Sequence, residues 1–155
     1  MINKKVIKKL IRNKITISVA ESCTGGLIAS EITSVPNSSN IFNLGLVTYS
    51  NQSKEKLLKI KKQNLKKYGA VSAQICKDMV ENLFKISKTD LCISTTGIAG
   101  PSGGSKLKPV GLVYVGIKFK KNYKIYMYNF NKKLERNKIQ KKTVNSIFNL
   151  LDQMI

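Results

Sequence analysis

The residues with the clearest chemical capacity lie in one short segment, Glu21-Ser22-Cys23-Thr24-Gly25-Gly26. A serine on a sharp strand-to-helix turn is presented outward, and the main-chain amides after it can stabilise an oxyanion. The GxSxG form of that nucleophile elbow is absent, however, and a serine here could instead only cap a helix. The thiol of Cys23 is intrinsically the stronger nucleophile once ionised. Both Ser22 and Cys23 are therefore candidates.

The chain contains no histidine. This excludes Ser-His-Asp and Cys-His arrangements and every zinc site that uses imidazole. A base for Ser22 must then be a lysine, a tyrosine or a carboxylate, and the Ser-Lys pair is an attested variant of the triad. Lys54 is the best placed lysine, because it follows a predicted strand that carries Tyr49 and lies near the start of a predicted helix. The alternative for Lys54 is a solvated surface lysine.

A second glycine-rich loop, residues 97–104 (GIAGPSGG), directly follows another predicted strand. In open α/β sheets, ligands bind at the carboxyl ends of strands, where glycines let N–H groups approach an anion. Glycines more often serve only tight turns, but two such loops on one small sheet favour a ligand site. Neither loop matches GxxxxGK[ST] or GxGxxG, so the fingerprints of ATPases and dinucleotide-binding folds are absent.

Hydrophobic periodicity predicts the elements that position these residues. Apolar residues at helical spacing predict helices over 3–13, 27–32, 54–58 and 136–154, and one that Ser72 begins. Asn51 or Ser53 is expected to cap the helix that contains Lys54. Runs of β-branched residues predict strands over 15–20, 44–50, 90–95, 110–119 and 123–130, the last two forming a hairpin. This order favours one α/β domain over residues 1–155, a three-layer α/β/α sandwich with a mixed sheet.

Composition limits the class of protein. The chain is 42% hydrophobic and 23% charged, near globular averages. No apolar stretch approaches the roughly 20 residues that a membrane span needs, and the basic N-terminus lacks the pattern of a signal peptide. The three cysteines (Cys23, Cys76 and Cys92) are far apart and form no CxxC, which suits free thiols in a reducing cytosol. We therefore expect a cytoplasmic protein with no membrane partner.

The formal net charge is +20, from 28 Lys and Arg against 8 Asp and Glu. Such a balance is typical of proteins that bind nucleic acid, anionic membranes or anionic small molecules. The lysines are scattered and not interleaved with an aromatic motif, which favours a compositional bias. Specific nucleic-acid binding is therefore not expected, and the oligomeric state, including a homo-oligomer, stays open.

Several segments in a fixed order resemble the CinA C-terminal domain family. They are ESCTGG (21–26), VTYSNQSK (47–54), YGAVS (68–72), TTGIAGPSGG (95–104) and KPVGLVYVGI (108–117). The resemblance extends from about residue 6 to residue 150. It implies a three-layer α/β fold that hydrolyses the carboxamide of an anionic nucleotide, nicotinamide mononucleotide, to nicotinate mononucleotide and ammonia. The pyrophosphatase activity of the separate N-terminal domain of full-length CinA proteins is not implied.

The resemblance also implies the site residues. Ser22 matches the family's nucleophile, and Tyr49 and Lys54 match the residues used beside it. The implied substrate-binding residues are Cys23, Thr24, Gly25, Gly26, Gly97, Gly100, Pro101, Ser102, Gly103, Gly104 and Arg136. In the expected mechanism, neutral Lys54 takes the Ser22 proton directly or through Tyr49, and amides near Cys23 and Thr24 hold the oxyanion. This chemistry needs no metal ion or cofactor.

One segment departs from the family pattern. Family members carry a phenylalanine-x-glycine-aspartate-arginine motif before the last helix, followed by a second basic residue. Here Phe130 is followed by Asn131-Lys132-Lys133-Leu134-Glu135-Arg136 without glycine, and Gln140 stands at the second basic position. Arg136 is expected to replace the motif's arginine. Two alternatives stay open: a non-catalytic pyridine-nucleotide-binding module, and a nucleic-acid-associated competence or damage-inducible protein.

Overall fold

The chain forms six α-helices and five strands. A computed structural model describes all residues, Met1–Ile155. The elements are α1 (Ile2–Arg12), β1 (Ile17–Glu21), α2 (Leu27–Thr33), a 3₁₀ turn (Ser38–Asn40), β2 (Phe42–Val47), α3 (Asn51–Leu58), α4 (Lys62–Tyr68), α5 (Ala73–Ser87), β3 (Leu91–Gly97), β4 (Leu112–Phe119), β5 (Asn122–Asn129) and α6 (Arg136–Met154). Every predicted element is present. The helix α4 was not predicted, because its sequence KQNLKKY contributes one buried apolar side chain, Leu65, and therefore shows no apolar stripe.

The five strands form one mixed sheet in the order β2-β1-β3-β4-β5. Strand β1 pairs in parallel with both β2 and β3. Strand β4 pairs antiparallel with both β3 and β5. The carboxyl ends of β1, β2 and β3 consequently meet at one edge of the sheet. The connection from β3 to β4 turns back at that same edge.

Helices cover both faces of the sheet. On one face α1, α2 and α6 pack over a core that includes Ile17 and Val19 of β1. On the other face α5 crosses β1, β3 and β4 above a second core that includes Ala20. Successive side chains of a strand point to opposite faces, and both faces are covered. Strand β1 is therefore buried along its whole length. The predicted three-layer α/β/α sandwich is confirmed. None of the helices combines the length and the apolarity that a membrane crossing requires.

Two serine caps set the starts of helices near the site. Ser72 caps α5 as predicted, with its Oγ accepting from the Ile75 N–H at 3.2 Å. The prediction that Asn51 or Ser53 caps α3 was wrong. That helix begins at Asn51, so the extended residue before it, Ser50, is the cap and accepts from the Ser53 N–H at 3.0 Å. The earlier start makes Lys54 the fourth residue of α3 instead of its first.

Candidate active site

A tight turn at the end of β1 presents Ser22. Glycines at positions 25 and 26 adopt φ of +60° and +100°, a left-handed backbone that side chains disfavour. The turn is tied to the neighbouring strand because the Ser22 N–H donates to the Thr95 carbonyl at 3.1 Å. Ser22 is 8% exposed, so its hydroxyl reaches only the cleft above the sheet. The segment thus forms the strand-to-helix turn that the sequence predicted.

Lys54 is buried against Ser22. Only 1% of the residue is exposed, which places it among the largest fully buried side chains of the chain. Its Nζ lies 3.0 Å from the Ser22 Oγ, 2.8 Å from the Thr48 carbonyl oxygen and 3.2 Å from the Tyr49 carbonyl oxygen. No carboxylate forms an ion pair with it. The alternative of a solvated surface lysine therefore does not apply to Lys54.

The surroundings of Lys54 favour the neutral form of its amine, which can act as a base. Burial lowers the pKa of Lys54 from 10.5 to about 8, because desolvation disfavours the charged form. A neutral amine has two N–H donors and one lone pair. When the carbonyls of Thr48 and Tyr49 accept the two N–H groups, the lone pair faces the Ser22 hydroxyl. The two carbonyl contacts thus orient the amine for proton transfer from Ser22.

The neighbouring thiol lacks the conditions for ionisation. Cys23 is 6% exposed, and burial raises the pKa of its thiol to about 12, with the Glu21 carboxylate contributing in the same direction. A thiol with such a pKa stays protonated near neutrality and is a weak nucleophile. The structure therefore favours Ser22 over Cys23 as the nucleophile.

The turn leaves two main-chain donors unpaired. The N–H groups of Cys23 and Thr24 donate to no acceptor on another residue, although these residues are only 6% and 1% exposed. Every N–H group over the next five residues is taken, by a main-chain oxygen or by the Glu21 carboxylate: Gly25, Gly26, Leu27, Ile28 and Ala29. Buried unpaired N–H groups are rare in proteins. Their place directly after the candidate nucleophile Ser22 suits an oxyanion site.

The cleft above Ser22 has a volume of about 290 Å³. It is lined by Ser22, Cys23, Tyr49, Lys54, Ala70, Val71, Thr96, Gly97, Ile98, Ala99, Gly100, Ser102, Gly103 and Arg136. A larger depression of about 740 Å³ lies along α1, but five basic side chains and Met1 form it and no nucleophile is present. The smaller cleft is therefore the candidate site. No group of three or more His, Cys, Asp or Glu side chains is arranged to hold a metal ion.

The cleft collects nine of the fourteen site residues expected from the sequence: Ser22, Cys23, Tyr49, Lys54, Gly97, Gly100, Ser102, Gly103 and Arg136. Five others do not line it: Thr24, Gly25, Gly26, Pro101 and Gly104. The side chain of Thr24 is instead buried in a 2.8 Å hydrogen bond with the Thr95 hydroxyl. The glycines of the first loop shape the turn.

Five lining residues were missed in the sequence: Ala70, Val71, Thr96, Ile98 and Ala99. The segment 68–72 was among the matching motifs, but its cleft-lining residues Ala70 and Val71 carry no reactive group, and no role was assigned to them. The Thr96 hydroxyl donates to the Ala70 carbonyl at 2.7 Å and thereby links two of the lining segments. Apart from Thr96, the missed residues are thus apolar and add an apolar lining to the cleft.

Arg136 spans the mouth of the cleft. Its guanidinium donates to the Tyr49 hydroxyl at 2.5 Å and to the Gly100 carbonyl at 2.8 Å. The Tyr49 hydroxyl makes no hydrogen bond with Ser22 or Lys54, and the residue is 59% exposed. This geometry favours direct proton transfer between Lys54 and Ser22 over a relay through Tyr49.

The second glycine-rich loop offers further donors. The N–H groups of Ala99, Gly100, Ser102 and Gly103 donate to no acceptor in the chain. Gly100 has a φ of +78°, and a Cβ there would lie 2.5 Å from Val110 Cγ1, so the loop's close packing requires glycine. These amides and the Arg136 cation lie around one opening. Together they can bind an anionic group.

Gln140 supports the turn of residues 22–26. Its side-chain amide donates to the Cys23 carbonyl at 2.9 Å. The residue at the second basic position of the family pattern is thus engaged in supporting the turn from α6. Arg136 remains the one basic side chain among those that line the mouth, besides the buried Lys54.

Comparison with known proteins agrees with the motifs. The CinA C-terminal domain family matches residues 1–155. A putative competence-damage inducible protein of Thermoanaerobacter pseudethanolicus is 52% identical over 139 residues, which are 90% of this chain and 33% of that protein. A CinA-like protein of Fusobacterium nucleatum is 51% identical over 138 residues, 88% of this chain and 33% of that protein. The chain thus spans about a third of the length of these curated relatives.

Solved structures share the fold. The competence/damage inducible protein CihA from Agrobacterium tumefaciens matches with a TM-score of 0.93 at 34% identity, over 98% of this chain and 92% of that chain. A CinA superfamily protein from Escherichia coli matches with a TM-score of 0.92 at 27% identity, over 99% and 88% of the two chains. The family resemblance inferred from the motifs is confirmed.

Proposed function

The chain belongs to the CinA C-terminal domain family, and we propose that it hydrolyses the carboxamide of nicotinamide mononucleotide to nicotinate mononucleotide and ammonia. The observation that carries this proposal is the 3.0 Å contact between Lys54 Nζ and Ser22 Oγ in a buried setting without histidine. The relatives' names speak of competence and damage and state no reaction. The reaction therefore rests on the site and on the motif resemblance.

The proposed chemistry uses groups of this chain alone. Neutral Lys54 takes the proton of the Ser22 hydroxyl while Oγ attacks the carboxamide carbon. The carbonyl oxygen becomes an oxyanion that the N–H groups of Cys23 and Thr24 stabilise. Protonated Lys54 then gives its proton to the leaving nitrogen, and ammonia departs. Water, deprotonated by Lys54, hydrolyses the acyl-serine ester and restores the free Ser22.

An anionic substrate suits the mouth of the cleft. Arg136 contributes a permanent cation, and four N–H groups of the loop 99–103 are unpaired. Binding energy from a remote phosphate can be used at the reacting carboxamide. The three cysteines are buried and unpaired, which supports a reducing, cytoplasmic setting for this chemistry.

The first prediction concerns substrate choice. We expect the protein to release ammonia from nicotinamide mononucleotide with kcat/KM at least about tenfold above that for nicotinamide, because a phosphate contact commonly contributes that much binding. Ammonia release by the purified protein, measured with both compounds, tests this. Arg136→Gln should lower kcat/KM for the nucleotide and leave nicotinamide unaffected.

Two results would count against the proposal. Equal rates on both compounds would remove the phosphate-anchoring argument. Binding of the nucleotide without ammonia from either compound would support the non-catalytic binding module instead. Lys132→Gln is the control for charge loss, because Lys132 is exposed in the connection that precedes α6 and does not line the cleft.

The second prediction concerns pH. Since Lys54 must be neutral to act as a base and its pKa is lowered to about 8, kcat/KM should rise with pH and level off above about 8. The Cys23 thiol cannot cause this inflection, because burial raises its pKa to about 12. Initial rates of ammonia release between about pH 6 and pH 10 measure the profile. A rate that is flat or falls through this range would show that Lys54 does not act as a neutral base.

A further inference from the structure

We propose that Glu21 is a positioning residue of this site, whose buried carboxylate holds the turn of residues 22–26 so that the N–H groups of Cys23 and Thr24 stay free for an oxyanion. The inference rests on the proposed function only in taking Ser22 as the nucleophile. It does not depend on which amide is the substrate. Glu21 is the first residue of the ESCTGG motif, but no role was assigned to it from the sequence or from the resemblance.

The contacts of Glu21 are all with main-chain donors. The side chain is fully buried and takes part in neither ion pair of the chain. One carboxylate oxygen accepts from the N–H groups of Gly26 and Ile28 at 3.0 and 3.1 Å, and the other accepts from Ala29 at 2.9 Å. An ionised carboxylate is an acceptor only, so it matches three converging donors without conflict. The charge also complements the start of α2.

The position of this cap distinguishes it from an ordinary helix cap. In α3 and α5 of the same chain, the serine directly before the helix is the cap, with Ser50 and Ser72 each binding an N–H three residues on. The residue directly before α2 is Gly26, which has no side chain. Glu21 reaches the helix from the last position of β1 and closes a ring over residues 22–25. It therefore restrains the turn that carries the nucleophile as well as the helix.

The ring also determines which amides remain available. Because Glu21 accepts the N–H groups of Gly26, Ile28 and Ala29, those groups do not compete for a negative charge in the cleft. The remaining N–H groups, of Gly25 and Leu27, bond the carbonyls of Ser22 and Thr24. A change in the ring would rotate the peptide units after Ser22. Displacement of such donors by about 1 Å is costly for catalysis.

The test is Glu21→Gln, with Glu31→Gln as the matched control. Glutamine keeps the shape but turns an NH₂ group toward main-chain donors, so at least one of the three hydrogen bonds is lost. Glu31 lies on α2, the helix that Glu21 caps, but its carboxylate accepts from the Asn3 side chain and does not contact the turn. The readout is the rate at which a fluorophosphonate probe labels Ser22, followed by intact mass between about pH 6 and pH 10. This probe reports on the nucleophile and oxyanion donors without the natural substrate.

We expect the plateau rate of labelling to fall by about 10- to 100-fold in Glu21→Gln and to stay unchanged in Glu31→Gln. The inflection near pH 8 should remain, because desolvation lowers the pKa of Lys54 and Glu21 is not among its causes. General loosening of the structure would instead hydrate Lys54 and move the inflection toward 10.5, its ordinary value. If Glu21→Gln does not fold, Glu21→Asp, with a shorter reach, should give the same fall at an unchanged inflection.

The outcomes separate the two proposals. An unchanged plateau in Glu21→Gln overturns the positioning role, and so does a fall that is accompanied by a shifted inflection. A wild-type Ser22 that does not react with the probe overturns both this inference and the proposed nucleophile. If the probe labels Ser22 but nicotinamide mononucleotide yields no ammonia, the proposed substrate is wrong. The plateau rate of Ser22 labelling then decides the role of Glu21.

Discussion

Ser22→Ala should abolish ammonia release, whereas Cys23→Ala should retain a sizeable fraction of the wild-type rate. The Ser22 hydroxyl is the group within 3.0 Å of the Lys54 amine, while the neighbouring thiol has a pKa raised to about 12. Removing a nucleophile typically lowers kcat by at least about a thousandfold. Steady-state ammonia release from nicotinamide mononucleotide measures the rate. Titration calorimetry should show that the Ser22→Ala protein still binds the nucleotide.

The reverse pattern would change the class of enzyme. An inactive Cys23→Ala beside an active Ser22→Ala would make the protein a cysteine amidase, with the burial of the thiol relieved when substrate binds. Cys76→Ala is the control for loss of a buried thiol, because Cys76 is also buried but does not line the cleft. If Cys23→Ala and Cys76→Ala each cause a similar small loss of activity, the loss is due to altered packing of a buried side chain and not to a role of the thiol in catalysis.

Hydrophobic periodicity in the sequence was sufficient to predict the three layers of the fold. Buried stripes such as Ile75, Met79, Val80 and Leu83 on α5 have a helical period that is visible in the sequence. The segment 15–20, rich in β-branched residues, predicted β1 as a buried strand equally directly, and both faces of that strand are covered. The helix α4 lacks such a stripe, and Ser50 was missed as a cap because the start of α3 was placed one turn late.

The site was less accessible to sequence reasoning. The burial of Lys54 depends on how α3, the end of β2 and the turn after β1 meet, and a lysine-rich sequence gives no local sign of which lysine is desolvated. Its position after the predicted strand made Lys54 a candidate, the motif resemblance implied its role beside Ser22, and the structure shows its burial. The carboxylate of Glu21 bonds residues five to eight positions later, a pattern that matches no standard capping motif. The bridge from Arg136 to Tyr49 joins residues 87 positions apart and is likewise not readable locally.

Lys54→Met should lose activity about as completely as Ser22→Ala, and the double variant should be little worse than either single one. Residues that act as one unit show this non-additivity, because removal of either leaves the same residual chemistry. Lys54→Arg should also be inactive, since a guanidinium stays protonated at working pH and cannot take the Ser22 proton. These three variants distinguish a neutral base from a fixed positive charge. Steady-state kcat for ammonia release, and thermal unfolding as a check of folding, are the measurements.

Lys56→Met provides the matched control, because Lys56 lies on α3 two residues away with its side chain exposed. It should retain the wild-type rate. If Lys54→Arg kept most of the activity, Lys54 would act through its charge, as an electrostatic partner of the oxyanion. If Lys54→Met kept near-normal activity, another group would have to be the base. Tyr49 would then be the remaining candidate that lines the cleft, which would require its hydroxyl to leave Arg136 and turn toward Ser22.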